Sequence, residues 1–565
     1  MIRWSLLVLA LTACCSQKST KTSTVVSDDR PERFEDLAFL VAGHIYKADP
    51  EKAVSLGLHK FDGKLPDVTP AALEDQRAQL ERDRDALLKL DPKQLTPLQI
   101  DERDVLLTEL RGRLFRLVEL DVYRTNPMSY TGAINLDDYI LRDYAPAQQR
   151  AQAVIDLCTA LPAYLAQARM NLVLPLPQPW IKTALLQTRG MVDFADKDVR
   201  QALANQAQIG PALDTCKAAL AEHVAWLEKQ EPSGTQNFRL GTAKFLKMLS
   251  DTQGVDTDVA HLQAMAEADL RRNLAAMDEA AKAIDPTKST KDVVEQVAQD
   301  RPAPADVLAV ATAQTTEMRK FLVDHKVVSI PGTEDAILKE SPPFQRWNSA
   351  FLNAPGVFET VPLPTFYYIS PPDPKWPAAE QLAYIPPRMD LLFTTIHEVY
   401  PGHYLHRLHI QKNPSKILKS FCTYSMNEGW AHYTEEMMFD LGAGGKTPQA
   451  RIGMLKEALL RNVRFVATLG LHTGTMTVDE ATKLFAEKGF VDAGNARQQA
   501  ARGTFDPMYL AYTLGKLMIR KLHGEWMAKH PNATLGEFHD ELLAHGCAPI
   551  PVIRRAMLGE TSPAI

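Results

Sequence analysis

The sequence has few cysteines, and their spacing does not suit a thiolate metal site. Six occur in 565 residues. Two are adjacent near the N-terminus, and the others lie far apart at Cys158, Cys216, Cys422 and Cys547. The absence of CxxC spacing argues against a structural zinc site. One or two disulfides are expected in an oxidising compartment, and buried free thiols fit the spacing equally well. Cys422 lies near a histidine cluster, but no local feature predicts an activated thiolate.

The sequence also lacks a long basic run and a long apolar run near its N-terminus. Lys and Arg number 63 against 69 Asp and Glu, which gives a net charge of −6. Nucleic acid is therefore not expected as a partner. The apolar run from Leu6 to Leu11 is far too short to cross a bilayer. A content of 45% apolar and 23% charged residues is typical of a globular protein with a large core.

The N-terminal residues predict export and lipid anchoring. Residues 1–13 combine an early arginine with the short apolar run, as signal peptides do. The letters LTAC, ending at Cys14, resemble a bacterial lipobox, so Cys14 is the predicted lipid attachment site. A plain signal peptide with incidental cysteines is the alternative. The next residue is not aspartate, so we expect anchoring to the outer membrane, on the periplasmic side. Residues 14–32 are polar and predict a lipidated, flexible tether.

Strand signals are sparse, and the remaining chain predicts a mainly α fold. We expect one helical domain over 33–560, with a helical N-terminal half to residue 340 and a second half from residue 341. The helical patterns cover 33–48, 70–91, 97–122, 145–170, 195–230, 257–285, 303–325, 388–412, 416–440, 448–470, 477–488 and 508–529.

Two short stretches predict strands, KVVSI at 326–330 and TFYYIS at 365–370. Prolines flank the second stretch, which favours a sheet edge, where a strand can pair with an extended peptide. Burial of its aromatic side chains in the core is an equally good interpretation. The proline-rich region 341–388 otherwise predicts ordered, irregular structure.

The stretch HEVYPGHYLH, residues 397–406, opens like the helix of a zinc peptidase. In the H-E-x-x-H pattern the second histidine follows four residues after the first. Here Pro401 stands at that position, and His403 follows six residues after His397. Those two side chains would point about 120° apart on a straight helix. Because Pro401 interrupts a helix and Gly402 adds backbone freedom, we predict a bend that turns His403 towards His397.

A carboxylate for the same metal ion is predicted downstream, in the stretch YSMNEGWAHYTEEMM. Its Asn-Glu pair, ending at Glu428, resembles the pair that follows the zinc helix in thermolysin-like enzymes. Two histidines and one carboxylate form the ligand set of a catalytic zinc site. Glu435 falls roughly on the same helix face and is predicted to hold a histidine ring in place. His432 is expected beside the site or in contact with substrate.

Alternatives remain for this site. A lone histidine or glutamate in a helix is usually a surface residue or a satisfied polar group. His406 is an alternative metal ligand, and His409 is expected to be a flanking helix residue. Zn²⁺ is the predicted cofactor, although the same ligand types also suit Mn, Co or Fe.

These motifs resemble those of the bacterial family catalogued as domain of unknown function 885, many of whose members are described as lipoproteins. The similar segments are His397-Glu398-x-x-Pro401-Gly402-His403, Glu428-Gly429-Trp430-Ala431, Glu435, 53–67, 509–519 and 538–553. That family is similar to helical zincin peptidases such as neurolysin and Taq carboxypeptidase. The resemblance implies a zincin-like helical fold with a small β-element and a deep channel. It also implies that His397, His403 and Glu428 bind zinc and that Glu398 is the general base.

The expected function is zinc-dependent hydrolysis of short peptides in the bacterial envelope, of the oligopeptidase or carboxypeptidase type. The domain 33–560 is then the catalytic domain, and 341–560 is its metal-site half. Tyr512 is predicted to donate to the oxyanion, with Tyr509, Tyr368 and His432 as alternatives. A packed core tyrosine is the simpler role for Tyr512. Two other functions are a zinc hydrolase of non-peptide amides or esters and an inactive, lipid-anchored binding protein. Membrane contact is expected only through the lipid, and the sequence predicts no oligomeric state.

Overall fold

The computed structural model describes residues 30–342, 345–346, 349–559 and 563–565. The predicted signal peptide, Cys14 and most of the predicted tether lie outside these ranges. The first helix begins at Arg30, so the tether prediction is wrong for residues 30–32, which are helical. Within the described ranges, no helix is both long and apolar enough to span a membrane.

Helices make up nearly all the regular structure of the N-terminal half. They are α1 (Arg30–Ala48), α2 (Pro50–Ser55), α3 (Pro70–Leu88), α4 (Pro97–Leu114), α5 (Val122–Thr125), α6 (Met128–Thr131), α7 (Asp138–Leu141), α8 (Ala147–Asn171), α9 (Gln178–Phe194), α10 (Arg200–Ala202), α11 (Ile209–Gln230), α12 (Thr242–Gln253), α13 (Val259–Ile284), α14 (Thr290–Val297) and α15 (Val307–His325). Helices α4 and α9 continue into π-helical segments, Phe115–Glu119 and Ala195–Val199.

The C-terminal half contains a small sheet followed by further helices. The strands are β1 (Ile337–Glu340), β2 (Ala350–Asn353) and β3 (Phe366–Ile369). The helices are α16 (Ala378–Tyr384), α17 (Arg388–Glu398), α18 (His403–Lys412), α19 (Lys416–Ser420), α20 (Tyr424–Leu441), α21 (Pro448–Thr473), α22 (Val478–Lys488), α23 (Ala493–Phe505), α24 (Ala511–Lys529), α25 (Leu535–Ala544) and α26 (Ile550–Leu558).

The structure confirms one of the two predicted strands, in a different position within the sheet, and contradicts the other. Its order is β1-β3-β2, with β1 parallel and β2 antiparallel to β3. The strand predicted at 365–370 exists, but it is the central strand and not an edge. Its flanking prolines lie outside the paired residues, so they do not prevent pairing on both sides. No strand forms at 326–330, so that prediction is wrong. Lys326 adopts a left-handed conformation (φ 51°) as α15 ends, and Val327 and Val328 then enter the core.

Several helices begin or end where apolar periodicity alone did not predict. The predicted helix 195–230 is interrupted between α10 and α11, and 388–412 is divided between α17 and α18. Helix α23 was missed because its sequence, AGNARQQAARGTF, has little apolar periodicity. The side chain of Asp492 caps it by accepting hydrogen bonds from the backbone N–H groups of Gly494 and Asn495.

The largest hydrophobic core contains residues from both halves of the chain, including Phe34 and Val105 with Phe393 and Leu514. A second core lies within 53–227 and is built mainly from α8, α9 and α11. A smaller one joins parts of α21, α22 and α23. The half of the chain from residue 341 therefore packs directly on N-terminal helices.

The four described cysteines form two disulfides, so the free-thiol alternative is wrong. Cys158 in α8 pairs with Cys216 in α11, and Cys422 pairs with Cys547. The spacing left this open because disulfide pairing depends on backbone proximity in the folded chain. Cys422 therefore offers no thiolate nucleophile.

Helices α20 and α24 approach each other closely at two glycines. A Cβ on Gly429 would lie only 2.5 Å from the Cα of Gly515. Side chains at these positions would force the helices apart. This close contact places Glu428 of α20 near Tyr512 of α24, on the wall of one cavity.

Candidate metal centre

A break between α17 and α18 shapes the His-Glu motif. Helix α17 ends at Glu398, and Gly402 precedes the first residue of α18. The peptide bond before Pro401 is cis. The Gly402 N–H donates to the carbonyl of Ile396 at 2.9 Å. A Cβ on Gly402 would lie 1.8 Å from the His397 carbonyl oxygen, so this bend requires glycine. The predicted helix break is confirmed.

The bend brings His397 and His403 together with Glu428. The centroids of the two imidazole rings lie 4.7 Å apart, and the ring planes make an angle of 85°. Each Nε2 atom is 3.5 Å from Glu428 Oε2. One potential ligand atom from each of the three residues lies within 4.8 Å of the others. Within the described part of the chain, this is the sole cluster of three or more His, Cys, Asp or Glu side chains placed to share a metal ion.

Glu435 fixes the orientation of the His397 ring. The Nδ1–H of His397 donates to Glu435 Oε1 at 2.7 Å, and His432 Nδ1 lies 3.3 Å from Oε2. Arg461 lies 3.2 Å from Oε1. Burial alone would raise the pKa of Glu435, but Arg461 and His432 hold it well below its usual range. Glu435 is thus a charged acceptor for Nδ1–H, which leaves Nε2 of His397 facing Glu428 and His403.

Glu398 follows His397 and lines the same cavity. Its Oε2 accepts a hydrogen bond of 2.9 Å from the backbone N–H of Leu352 in β2. Burial raises the pKa of Glu398, while the neighbouring His403 and His397 oppose that shift. The carboxylate is therefore held beside the cluster by a backbone donor.

Of the four predicted oxyanion donors, Tyr512 alone lines the cavity. The centroid of its ring lies 6.4 Å from that of the His397 ring, and the angle between the two ring planes is 19°. Its hydroxyl has no hydrogen-bond partner among the described residues. Burial raises the pKa of Tyr512 to about 12, so the hydroxyl is protonated near neutral pH.

The three alternative donors lie outside the cavity lining. The hydroxyl of Tyr509 donates to Gln499. Tyr368 lies in the central strand, and His432 is 1% exposed and faces Glu435. None of the three lines the cavity.

The other two histidines of α18 have backbone partners. His406 Nε2–H donates to the Gly546 carbonyl at 2.9 Å, and His409 Nε2–H donates to the Ser329 carbonyl at 3.0 Å. Burial lowers the pKa of His406 to about 3. The structure does not place His406 within the three-residue cluster.

A cavity of about 4050 Å³ adjoins the cluster. Both halves of the chain line it, with side chains from α9 and α14 as well as α20, α21 and α23. Sequence reasoning missed three arginines that line it, Arg461, Arg464 and Arg502. The first two lie against the Tyr512 ring, and the third lies against the Tyr509 ring. The i,i+3 spacing of Arg461 and Arg464 on α21 was the available signal, but such pairs are common on exposed helices.

The chain is similar to two solved structures over nearly its whole length. One, from Shewanella oneidensis, is described as "a putative lipoprotein of unknown function"; it is 22% identical, with a TM-score of 0.77, covering 93% of this chain and 99% of that one. The other, "the putative lipoprotein from Colwellia psychrerythraea", is 16% identical, with a TM-score of 0.78, covering 94% and 99%. At these identities the likeness shows a shared fold.

No curated protein matches the sequence. The model of the family described as "Bacterial protein of unknown function (DUF885)" matches residues 50–557. That range includes the broken helix, the three-residue cluster and Tyr512. The chain belongs to this bacterial family of unknown function.

Proposed function

We propose that this protein is a zinc-dependent peptidase that hydrolyses short peptides in the bacterial envelope. The observation that carries the proposal is the convergence of His397, His403 and Glu428 from three separate helices, with ligand atoms within 4.8 Å. Glu398 and Tyr512 stand beside this cluster on the wall of the same cavity. We further propose a zincin-like helical fold in which this cavity is the substrate channel.

The side chains fit a catalytic zinc ion. Two imidazoles, one carboxylate and an open side towards a cavity form the ligand set of many zinc hydrolases. The contact between Glu435 and His397 Nδ1 supports the fit because it leaves Nε2 to act as the ligand atom. Manganese, cobalt and iron also accept these ligands, so the test includes metal identification.

Two side chains would act on the proton and the developing charge, Glu398 and Tyr512, and one backbone N–H would orient the first of them. A bound zinc ion supplies Lewis acidity and lowers the pKa of water to about 7. Glu398 accepts the proton of the attacking water and then delivers it to the leaving amine nitrogen. The Tyr512 hydroxyl donates to the oxygen that gains negative charge as the carbonyl is attacked. The Leu352 N–H orients Glu398 for this transfer.

An open strand edge supports a peptide as substrate. Strand β2 pairs with β3 on one side and with no described strand on the other. The N–H of Leu352 in β2 points to Glu398, so the open edge faces the proposed reaction site. Since that N–H is engaged, a peptide would pair with the other backbone groups of this edge. An extended peptide can add to such an edge through backbone hydrogen bonds. Peptide pairing is therefore assigned to β2, in place of the stretch 365–370.

The proposed location rests on the N-terminal motif and on the relatives. The two similar structures are each described as a "putative lipoprotein", and the letters LTAC end at Cys14 in this chain. We propose that lipid at Cys14 anchors the protein to the outer membrane, facing the periplasm. Short peptides in that compartment would be its substrates.

Zinc-loaded protein is expected to cleave a mixed pool of short peptides, as detected by mass spectrometry. Cleavage should stop with a chelator and in His403→Ala. Zinc-dependent turnover of ester or non-peptide amide probes alone would replace the peptidase with a different hydrolase. Peptide binding without turnover in wild type, retained in Glu398→Gln, would indicate a binding protein.

Tyr512→Phe is expected to lower kcat for peptide hydrolysis about tenfold or more, because it removes one oxyanion donor. Zinc content should stay at the wild-type level. Tyr368→Phe is the matched control, since its hydroxyl does not face the cavity. An unchanged kcat in Tyr512→Phe, measured with saturating peptide, would remove this tyrosine from the mechanism.

A further inference from the structure

Arg464 is a buried cation that has no carboxylate partner among the described residues. The residue is 9% exposed, and it makes no ion pair with any carboxylate in the described ranges. Its Nε–H donates to Gln499 Oε1 at 3.0 Å. Its two terminal nitrogens have no hydrogen-bond partner among the described residues. Buried arginines are ordinarily paired, because an unpaired buried charge is costly.

Neighbouring arginines show the usual arrangement. Arg461 bonds Glu457 at 2.7 Å and also contacts Glu435. Arg502 lies 3.1 Å from Asp506. Asp506 also acts on Arg464 electrostatically, but its direct ion pair is with Arg502. Arg464 therefore has no carboxylate in direct contact within the described part of the chain.

The position of Arg464 relates it directly to the proposed reaction site. Its guanidinium lies 4.8 Å from the ring centroid of Tyr512 and 4.4 Å from that of Tyr509. Tyr512 in turn stacks beside His397. Arg464 therefore lies one side chain beyond the proposed oxyanion donor, on the cavity wall.

Contacts on two sides hold the guanidinium in place. Gln499 Oε1 accepts from Arg464 Nε and also from the Tyr509 hydroxyl. The two tyrosine rings pack against the guanidinium, as cation–π contacts do. An arginine fixed through Nε can still present its terminal nitrogens to a carboxylate, which it binds through two parallel hydrogen bonds.

We infer that Arg464 binds the C-terminal carboxylate of the substrate peptide, so that cleavage occurs a fixed, short distance from the C-terminus. This inference rests on the proposed function and names its substrate class, peptides with a free C-terminus. Recognition of the C-terminal carboxylate is a property of an exopeptidase and not of an endopeptidase. An aspartate or glutamate side chain of a substrate offers the same carboxylate, and the test below separates the two sources.

The test compares paired N-acetylated pentapeptide pools that end in a free carboxylate or a carboxamide, with and without an internal glutamate. Wild type is expected to cleave the free acids with a kcat/KM about 30-fold higher or more, as charge-assisted hydrogen bonds to a carboxylate would give. Arg464→Gln should reduce this preference to near unity, mainly through KM, without loss of zinc. Arg464→Lys should restore part of it.

Lys182→Gln is the matched control. It removes one positive charge from an exposed part of the cavity wall, and it should leave the preference unchanged. Equal cleavage of acids and amides by wild type would overturn the inference. So would a preference that survives Arg464→Gln or disappears equally in Lys182→Gln. Amides cleaved as fast as acids only when they contain glutamate would overturn the assignment to the C-terminus.

Calorimetry separates this inference from the proposed hydrolysis. Zinc-loaded Glu398→Gln is titrated with the same acid and amide pools, and so is the double variant with Arg464→Gln. If wild type cleaves no peptide, a preference for free acids that needs Arg464 would still support the carboxylate site, while the peptidase proposal would fail. Equal binding of acids and amides would overturn the carboxylate site.

Discussion

Glu398→Gln is expected to lower kcat for peptide hydrolysis by about 10²–10⁴-fold while the protein keeps its zinc. The amide cannot accept the proton of the attacking water. It has nearly the same size and can still accept the Leu352 N–H hydrogen bond. The residue is outside the cluster His397, His403 and Glu428, so metal content should not change. A loss of turnover without a loss of metal is the result expected when a general base is removed.

The measurement is single-turnover hydrolysis of one cleaved peptide, beside metal analysis of the same sample. Glu380→Gln is the matched control, because Glu380 is an exposed carboxylate on the cavity wall. Its kcat should stay within about twofold of wild type, since surface substitutions have small effects. Wild-type kcat in Glu398→Gln would contradict the proposed mechanism.

Gly402→Ala is expected to abolish zinc binding and hydrolysis in a chain that remains helical. The added Cβ would lie 1.8 Å from the carbonyl oxygen of His397 and 2.5 Å from that of Ile396. Those atoms are backbone, so the turn between α17 and α18 must change its path. His403 is the first residue of α18, and it would move away from His397. Forced overpacking of this kind also costs about 1–3 kcal/mol of stability.

Circular dichroism, thermal unfolding and metal analysis would check this result. Gly43→Ala is the control, because a Cβ at Gly43 on α1 meets nothing within 4 Å. It should keep wild-type zinc content and gain slightly in stability, since alanine favours a helix more than glycine does. Wild-type zinc affinity in Gly402→Ala would show that the bend does not position the ligands.

The broken helix was predictable because its causes are local. Pro401 and Gly402 stand beside the histidines they reorient, and proline chemistry dictates the interruption. Helix geometry alone would point His403 away from His397, so the bend was needed to explain the pair. The pairing of β3 on both sides was not predictable, because its partners come from separate parts of the chain. For the same reason, cysteine spacing did not determine the two disulfides.

The residues that support the site were also predictable only where the cause of their position is local. Glu435 lies on the same helix as Glu428, so helix periodicity indicated its position. Arg464 lies on a different helix, α21, in the mainly apolar stretch NVRFVATLGL, so the burial of this stretch was predictable. The lack of a carboxylate partner for Arg464 among the described residues depends on tertiary packing, which places it against Tyr509 and Tyr512. No pattern within α21 shows which side chains of other helices such an arginine contacts.

The most direct test of the account is metal content, measured by mass spectrometry on soluble protein starting at Asp28 and on its His403→Ala variant. Both samples are loaded with zinc and then dialysed. The account predicts about one zinc per wild-type chain, as in a mononuclear catalytic site, and little in the variant. No retained metal in wild type, or equal zinc in both proteins, would contradict the assignment of His397, His403 and Glu428 as a metal centre.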